Sequence, residues 1–130
     1  MTVQAQSLRS MFSNYNLTAS HFVYNSSGGT TTATGWFSSK ASDVVISLCC
    51  ATLTSNSITY RIEGKFTGSD RVASIDSGTI STANPTVSKL IKVNYPTSQI
   101  RLGLKVPSTV ASPSASPTNI YADLFLRELK

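Results

Sequence analysis

Side chains able to carry out catalysis are few in this chain and do not converge on one motif. The single histidine, His21, is followed by Phe22, and no Gly-x-Ser-x-Gly turn is present to expose a serine nucleophile. The chain has 22 Ser and 16 Thr, so a Ser–His–Asp set can be drawn in many ways and none of them is informative. We expect His21 to lie at a strand edge or on the surface.

The acidic residues of the central segment do not form a hydrolytic pair either. A glycosidase needs two carboxylates at a defined separation within a cleft. Glu63 lies between Arg61 and Lys65 in an alternating segment, which is typical of charges on a solvated sheet face. Asp70 and Asp76 stand in predicted turns, where Asp hydrogen-bonds to the backbone. The sequence therefore predicts no enzymatic activity.

The two cysteines, Cys49 and Cys50, are adjacent. Neighbouring side chains of a strand point to opposite faces, so these two thiols cannot bond to each other without distortion. No other thiol or histidine cluster accompanies them, as a zinc site would require. The sequence predicts no metal and no other cofactor, and reduced thiols fit a protein that assembles in a cytoplasm.

Two kinds of binding residue remain: basic residues and aromatic residues. The formal net charge is +5, but the Lys and Arg residues are scattered without a run, so we expect no specific nucleic-acid partner. Trp36 stands near a predicted turn and is the candidate contact for a glycan. A single Trp in a β-protein more often belongs to the core, because aromatic side chains dominate core burial.

The elements that must position these residues are strands. The abundance of Ser and Thr, with only 13% charged residues, suits strands separated by polar turns. Residues 58–66 and 99–106 alternate between apolar and polar positions, and residues 43–52 form a nearly continuous apolar run. We predict an all-β protein, an antiparallel β-sandwich or jelly roll of about seven or eight strands, in a single domain over residues 20–130.

Residues 1–19 are predicted to be a separate N-terminal arm or short helix. Leu8, Met11, Phe12 and Tyr15 recur at helical spacing, which is compatible with a short helix around residues 6–15. An extended arm lying on a neighbouring subunit is the alternative. The segment has neither a charged nor an apolar signal region, and the longest apolar runs are too short for a membrane span, so we expect no membrane association.

The last predicted strand, residues 119–129, carries apolar side chains on both faces. One set exceeds what a single sheet face can bury and would form an exposed patch on a monomer. We therefore predict a homo-oligomer, with a trimer as the first expectation. The candidate interface residues, from the arm and this strand, are Leu8, Met11, Phe12, Tyr121, Phe125 and Leu129.

Three segments together resemble small β-sandwich structural proteins of tailed-bacteriophage virions. They are Tyr60-Arg-Ile-Glu-Gly-Lys-Phe66, Ile100-Arg-Leu-Gly-Leu-Lys-Val106 and Tyr121-Ala-Asp-Leu-Phe-Leu126. The resemblance implies a non-enzymatic virion component, first of all a capsid decoration (cement) protein, with a neck or tail accessory also open. It further implies other virion proteins as partners and a location in the virion after synthesis in the host cytoplasm. The alternative function is a glycan-binding module of a phage tail or adhesion device, with Trp36 as the contact.

Overall fold

The computed structural model describes residues 4–17, 21–24, 35–50, 57–82, 84–93, 97–106 and 119–129. These residues form strands and no helix. In chain order the strands are β1 Gln4–Tyr15, β2 Val23–Tyr24, β3 Phe37–Ser38, β4 Asp43–Cys50, β5 Ile58–Phe66, β6 Val72–Ile80, β7 Thr86–Lys92, β8 Thr97–Lys105 and β9 Ile120–Leu129. The prediction of an all-β protein is confirmed.

The strands form two antiparallel sheets that pack face to face. The first sheet has the order β1-β9-β4-β7 and the second has the order β2-β8-β5-β6, with β3 also paired to β8. Because β2 and β3 pair with successive parts of β8, they share one strand position, and each sheet then has four positions. Each sheet alternates strands from the two halves of the chain, which is the arrangement of a jelly roll.

The core lies between the two sheets and is built by period-2 alternation. Every second residue of β4, from Val44 to Cys50, is buried, and the same holds for Ile100 to Val106 on β8 and its extension. On β5 the inward residues Ile58, Tyr60 and Ile62 are buried as the alternation predicts. The inward residues of β9 are Ile120, Ala122, Leu124 and Leu126.

The helix predicted around residues 6–15 is wrong, because this segment is strand β1 and pairs along its length with β9. The register of this pair shifts between Ser10 and Phe12 and again between Phe12 and Tyr15. Such bulges change which face successive side chains occupy. Met11 and Phe12 are therefore both buried in the core although they are adjacent, and the resulting spacing of apolar residues imitates a helix.

Two other segments test predictions made from the sequence. The turn predicted at Asp76 is wrong, because Asp76 lies within the single strand β6, whereas the predicted last strand forms β9. Cys50 is buried and Cys49 is half-buried on the opposite face, and neither forms a disulfide. The Gly28-Gly29 turn and the Pro107–Pro117 loop lie outside the described residues. Within the described ranges, no helix could cross a membrane.

Candidate functional site

The outer face of the first sheet carries a row of apolar side chains that crosses all four strands. Leu8 of β1 pairs with Phe125 of β9, which pairs with Val45 of β4, which in turn pairs with Leu90 of β7. Leu8, Phe125 and Leu90 are 57%, 46% and 54% exposed. We call these four residues the apolar row. A patch of this kind on a small domain is typical of an interaction surface.

A compensated charge cluster borders the apolar row on one side. Asp43, at the start of β4, is buried and accepts hydrogen bonds from Lys92 on β7 and Arg127 on β9. The Lys92 Nζ to Asp43 Oδ1 distance is 2.8 Å. These two bonds, Lys92 first, hold the pKa of the Asp43 carboxyl below its usual value. Asp43 therefore links its own strand β4 to the edge strand β7 and to the inner strand β9.

The structure brings together some of the predicted interface residues and separates others. Leu8 and Phe125 are neighbours in the apolar row, and Tyr121 is exposed further along β9. Met11 and Phe12 are corrected: both are in this chain's own core, so they are not available on the surface. Leu129 ends β9, and its side chain lies outside the described part.

The outer face of the second sheet carries a different surface, which we call the cation–aromatic layer. Its rings come from the β2 and β3 side of the sheet, and its cations come from β5 and β8. The rings are Phe22, Tyr24 and Trp36. The cations are Arg61, Lys65, Arg101 and Lys105. All seven side chains are half-buried.

Each ring of the layer holds a cation against it. The Arg101 guanidinium carbon lies 3.7 Å from the Tyr24 ring centroid and 4.2 Å from that of Trp36. The Arg61 guanidinium carbon lies 4.1 Å from the centroid of Phe22. These separations are within the range of favourable cation–π contacts, each of which contributes about 0.5–1 kcal/mol at exposed sites.

The two lysines extend the layer at its ends. Lys65 Nζ is 4.8 Å from the Trp36 centroid, and Lys105 Nζ is 4.9 Å from the Phe22 centroid. Each lysine is four residues from the arginine on its own strand, so alternation places the two side chains on the same face. The layer therefore runs along the paired strands β5 and β8 without interruption.

Glu63 lies beneath the layer and holds its centre in place. The carboxylate accepts a hydrogen bond from the Tyr24 hydroxyl at 2.7 Å and one from Arg101 Nε at 3.0 Å. Arg61 Nη2 lies 3.4 Å from its second oxygen. Burial raises the pKa of the Tyr24 hydroxyl, while the hydrogen bond from Arg61 partly opposes this shift. Glu63 is thus a buried anion whose partners are all members of the layer.

Gly103 gives the rings room to lie against the sheet. It pairs with Tyr24 on one side and with Arg61 on the other. A β-carbon at this position would lie 2.6 Å from Tyr24 Cε1 and 3.1 Å from Phe22 Cδ1. The outward glycine of β8 is therefore a structural requirement of the layer, since any side chain there would displace Tyr24.

The sequence predicted that several of these residues point outward, but not that they lie side by side in one layer. Arg61 and Lys65 on one segment and Arg101 and Lys105 on another are outward by alternation, but their segments are far apart in the chain. Only the pairing of β5 with β8 puts them side by side. Trp36 is on the outer face and not in the core, and its ring contacts two cations.

The described residues contain no cluster of metal-ligating side chains. In the ranges given above, no three His, Cys, Asp or Glu side chains are grouped so as to hold a metal ion. His21 is exposed.

Asp76 accepts hydrogen bonds from the Tyr60 hydroxyl at 3.1 Å and from Lys89 at 3.1 Å. The bond from Lys89 joins β6 of one sheet to β7 of the other.

No family model and no curated protein matches the chain. Among solved structures, the chain is similar to the surface-associated copper-binding protein CorA of Methylomicrobium album BG8. The identity is 7% and the TM-score 0.44, over 98% of this chain and 93% of that protein. Likeness at this level carries no argument about what this chain binds.

Proposed function

We propose that the protein is a non-enzymatic structural subunit of a phage particle, most directly a capsid decoration protein that acts through protein–protein contacts. The observation that carries the assembly role is the apolar row, which crosses the whole outer face of the first sheet. The virion assignment is supported by the resemblance of the strand segments and by the jelly-roll order of the sheets, an architecture common in viral capsid domains.

The apolar row is suited to a self-association interface. Its three most exposed members, Leu8, Phe125 and Leu90, project from an edge strand, an inner strand and the opposite edge strand. The flanking charges of Asp43, Lys92 and Arg127 are paired with one another, so covering this end of the row leaves none of these three charges without a partner. Closed symmetry, with a trimer as the first expectation, would cover the row in every copy.

Light scattering of the purified protein tests the assembly role. We expect an oligomer for the natural sequence and folded monomers for Phe125→Asp and Leu90→Asp, because a carboxylate forced against apolar groups costs several kcal/mol. Thr79→Asp is the matched control: Thr79 is an exposed strand residue of the second sheet, and this variant should stay oligomeric. A natural sequence that is monomeric at high concentration, or a control that dissociates equally, would contradict the proposal.

Mass spectrometry of purified particles tests the location. A decoration protein is expected in many copies per particle and is expected to detach when its contact surface is altered by Phe125→Asp. Absence of the chain from the particles would remove the virion assignment. The light-scattering result would still decide whether the apolar row is an interface.

A further inference from the structure

Positive charge in this protein is concentrated on one face. The cation–aromatic layer contains four cationic side chains and one carboxylate, Glu63. The layer therefore has a net charge of +3, compared with a formal net charge of +5 for the whole chain. On the outer face of the first sheet, by contrast, Arg127 and Lys92 are both paired with Asp43. The outer face of the second sheet is the one suited to an anionic partner.

Each ring of the layer already has a cation against its face. Arg101 lies against both Tyr24 and Trp36, and Arg61 lies against Phe22. Tyr24 is also packed over the backbone of Gly103. Binding of single-stranded nucleic acid depends on aromatic faces that are free to stack on bases, and these rings already carry cations. The chemistry that the layer presents is that of fixed guanidinium and ammonium groups.

We propose that the cation–aromatic layer binds an acidic polysaccharide and recognises it through the carboxylates of its sugars. Guanidinium groups bind carboxylates well, and Arg61 and Arg101 each place one guanidinium nitrogen against the carboxylate of Glu63. The neighbouring strand β6 adds exposed hydroxyls of Ser77 and Thr79 beside β5, which suit hydrogen bonds to sugar hydroxyls. The layer faces away from the apolar row, so assembly through that row leaves it open.

Affinity electrophoresis in gels containing alginate, a carboxylated polysaccharide, tests this site on the full chain. We expect binding that weakens with added salt and that is absent from gels containing neutral dextran. The double variant Lys65→Gln/Lys105→Gln removes two cations while leaving the ion pairs of Glu63 intact. We expect it to reduce the affinity for alginate by about tenfold or more, on the scale of losing charged hydrogen bonds.

The matched control is Lys40→Gln/Arg71→Gln, which removes the same charge from exposed positions outside the layer. Its affinity should change by less than about twofold. Circular dichroism of both double variants checks that the strands are retained. Equal loss in the two double variants would overturn the site, because the binding would then follow net charge alone. No retardation by alginate, or tighter binding of oligothymidylate than of alginate, would overturn the proposed ligand.

Discussion

Gly103→Ala tests whether the cation–aromatic layer depends on a bare backbone at the centre of the second sheet. The new methyl carbon would lie 2.6 Å from Tyr24 Cε1, well inside the optimal separation of two carbon atoms. The Tyr24 ring cannot move alone, since its hydroxyl donates to Glu63 at 2.7 Å and Arg101 lies against its face. The substitution must therefore displace several members of the layer.

The expected magnitude follows from two opposing effects. Overpacking of a fitted site costs about 1–3 kcal/mol. Alanine in place of glycine within a strand contributes roughly 0.5–1 kcal/mol in the opposite direction, because it restricts the unfolded chain. We expect Gly103→Ala to lower the free energy of unfolding by about 1–2 kcal/mol. In a Tyr24→Ala background the main clash is gone, so the same change should be neutral or slightly stabilising.

Urea denaturation of the four proteins of this double-mutant cycle measures the effect. The fluorescence of Trp36, which shares Arg101 with Tyr24, reports whether the layer has moved. Ser77→Ala is the control, an exposed change on the neighbouring strand that should stay within about 0.5 kcal/mol of the natural protein. If Gly103→Ala costs the same in both backgrounds, the packing of Tyr24 on Gly103 is not what the glycine provides.

Three further predictions concern the core, a charge cluster and a buried hydroxyl. Phe12→Ala should cost about 3–5 kcal/mol in urea denaturation, whereas Ser13→Ala, an exposed change on the same strand, should stay within about 0.5 kcal/mol. Equal costs would contradict the bulged register of β1. Because the pKa of Asp43 is lowered, its ionised form contributes to the free energy of unfolding at neutral pH, and this contribution is lost as the pH falls below about 4. The difference in free energy of unfolding between the natural protein and Asp43→Asn should therefore disappear over that range. A difference that persists would contradict the pairing of Asp43 with Lys92 and Arg127. Burial and the adjacent Asp76 raise the pKa of Tyr60 to about 12, so stability should fall from pH 10 to pH 12. Tyr60→Phe should remove this fall in denaturation midpoints, and an unchanged profile would exclude Tyr60 as its source.

The fold was predictable from the sequence where one face of a strand is buried and the other is not. Alternation identified the buried residues Ile58, Tyr60 and Ile62 of β5 and Ile100, Leu102 and Leu104 of β8, because successive side chains of a strand point to opposite faces. It was wrong for Glu63, which it placed on a solvated face and which is buried beneath the cation–aromatic layer. The same reasoning failed for β1. Two register shifts interrupt its alternation. Asn14 lies at the second shift with a φ of 50°, but a single Asn in a polar segment does not by itself predict a bulge.

For the apolar row and the cation–aromatic layer, the sequence predicted some of the individual residues but not how they are arranged. The apolar residues of β9 predicted an interface, but the sequence did not predict that Leu90 belongs to it. Leu90 and Ile91 are both strongly apolar, and only strand pairing decides which one points outward. Leu90 is exposed and Ile91 is buried. The cation–aromatic layer likewise needs the pairing of β8 with β2, β3 and β5, which alternation within one strand does not specify.

The pairing of β1 with β9 has a consequence for the order of folding. Gln4 lies opposite Leu129, so β1 can pair with its neighbour among the described strands only after β9 is available. Contacts between residues so distant in sequence make folding slow, because the entropy of closing the loop is lost before they form. During synthesis, Met11 and Phe12 emerge before β9, the strand with which β1 pairs. Growing chains therefore pass through a period in which these two side chains are exposed to aggregation or to chaperones.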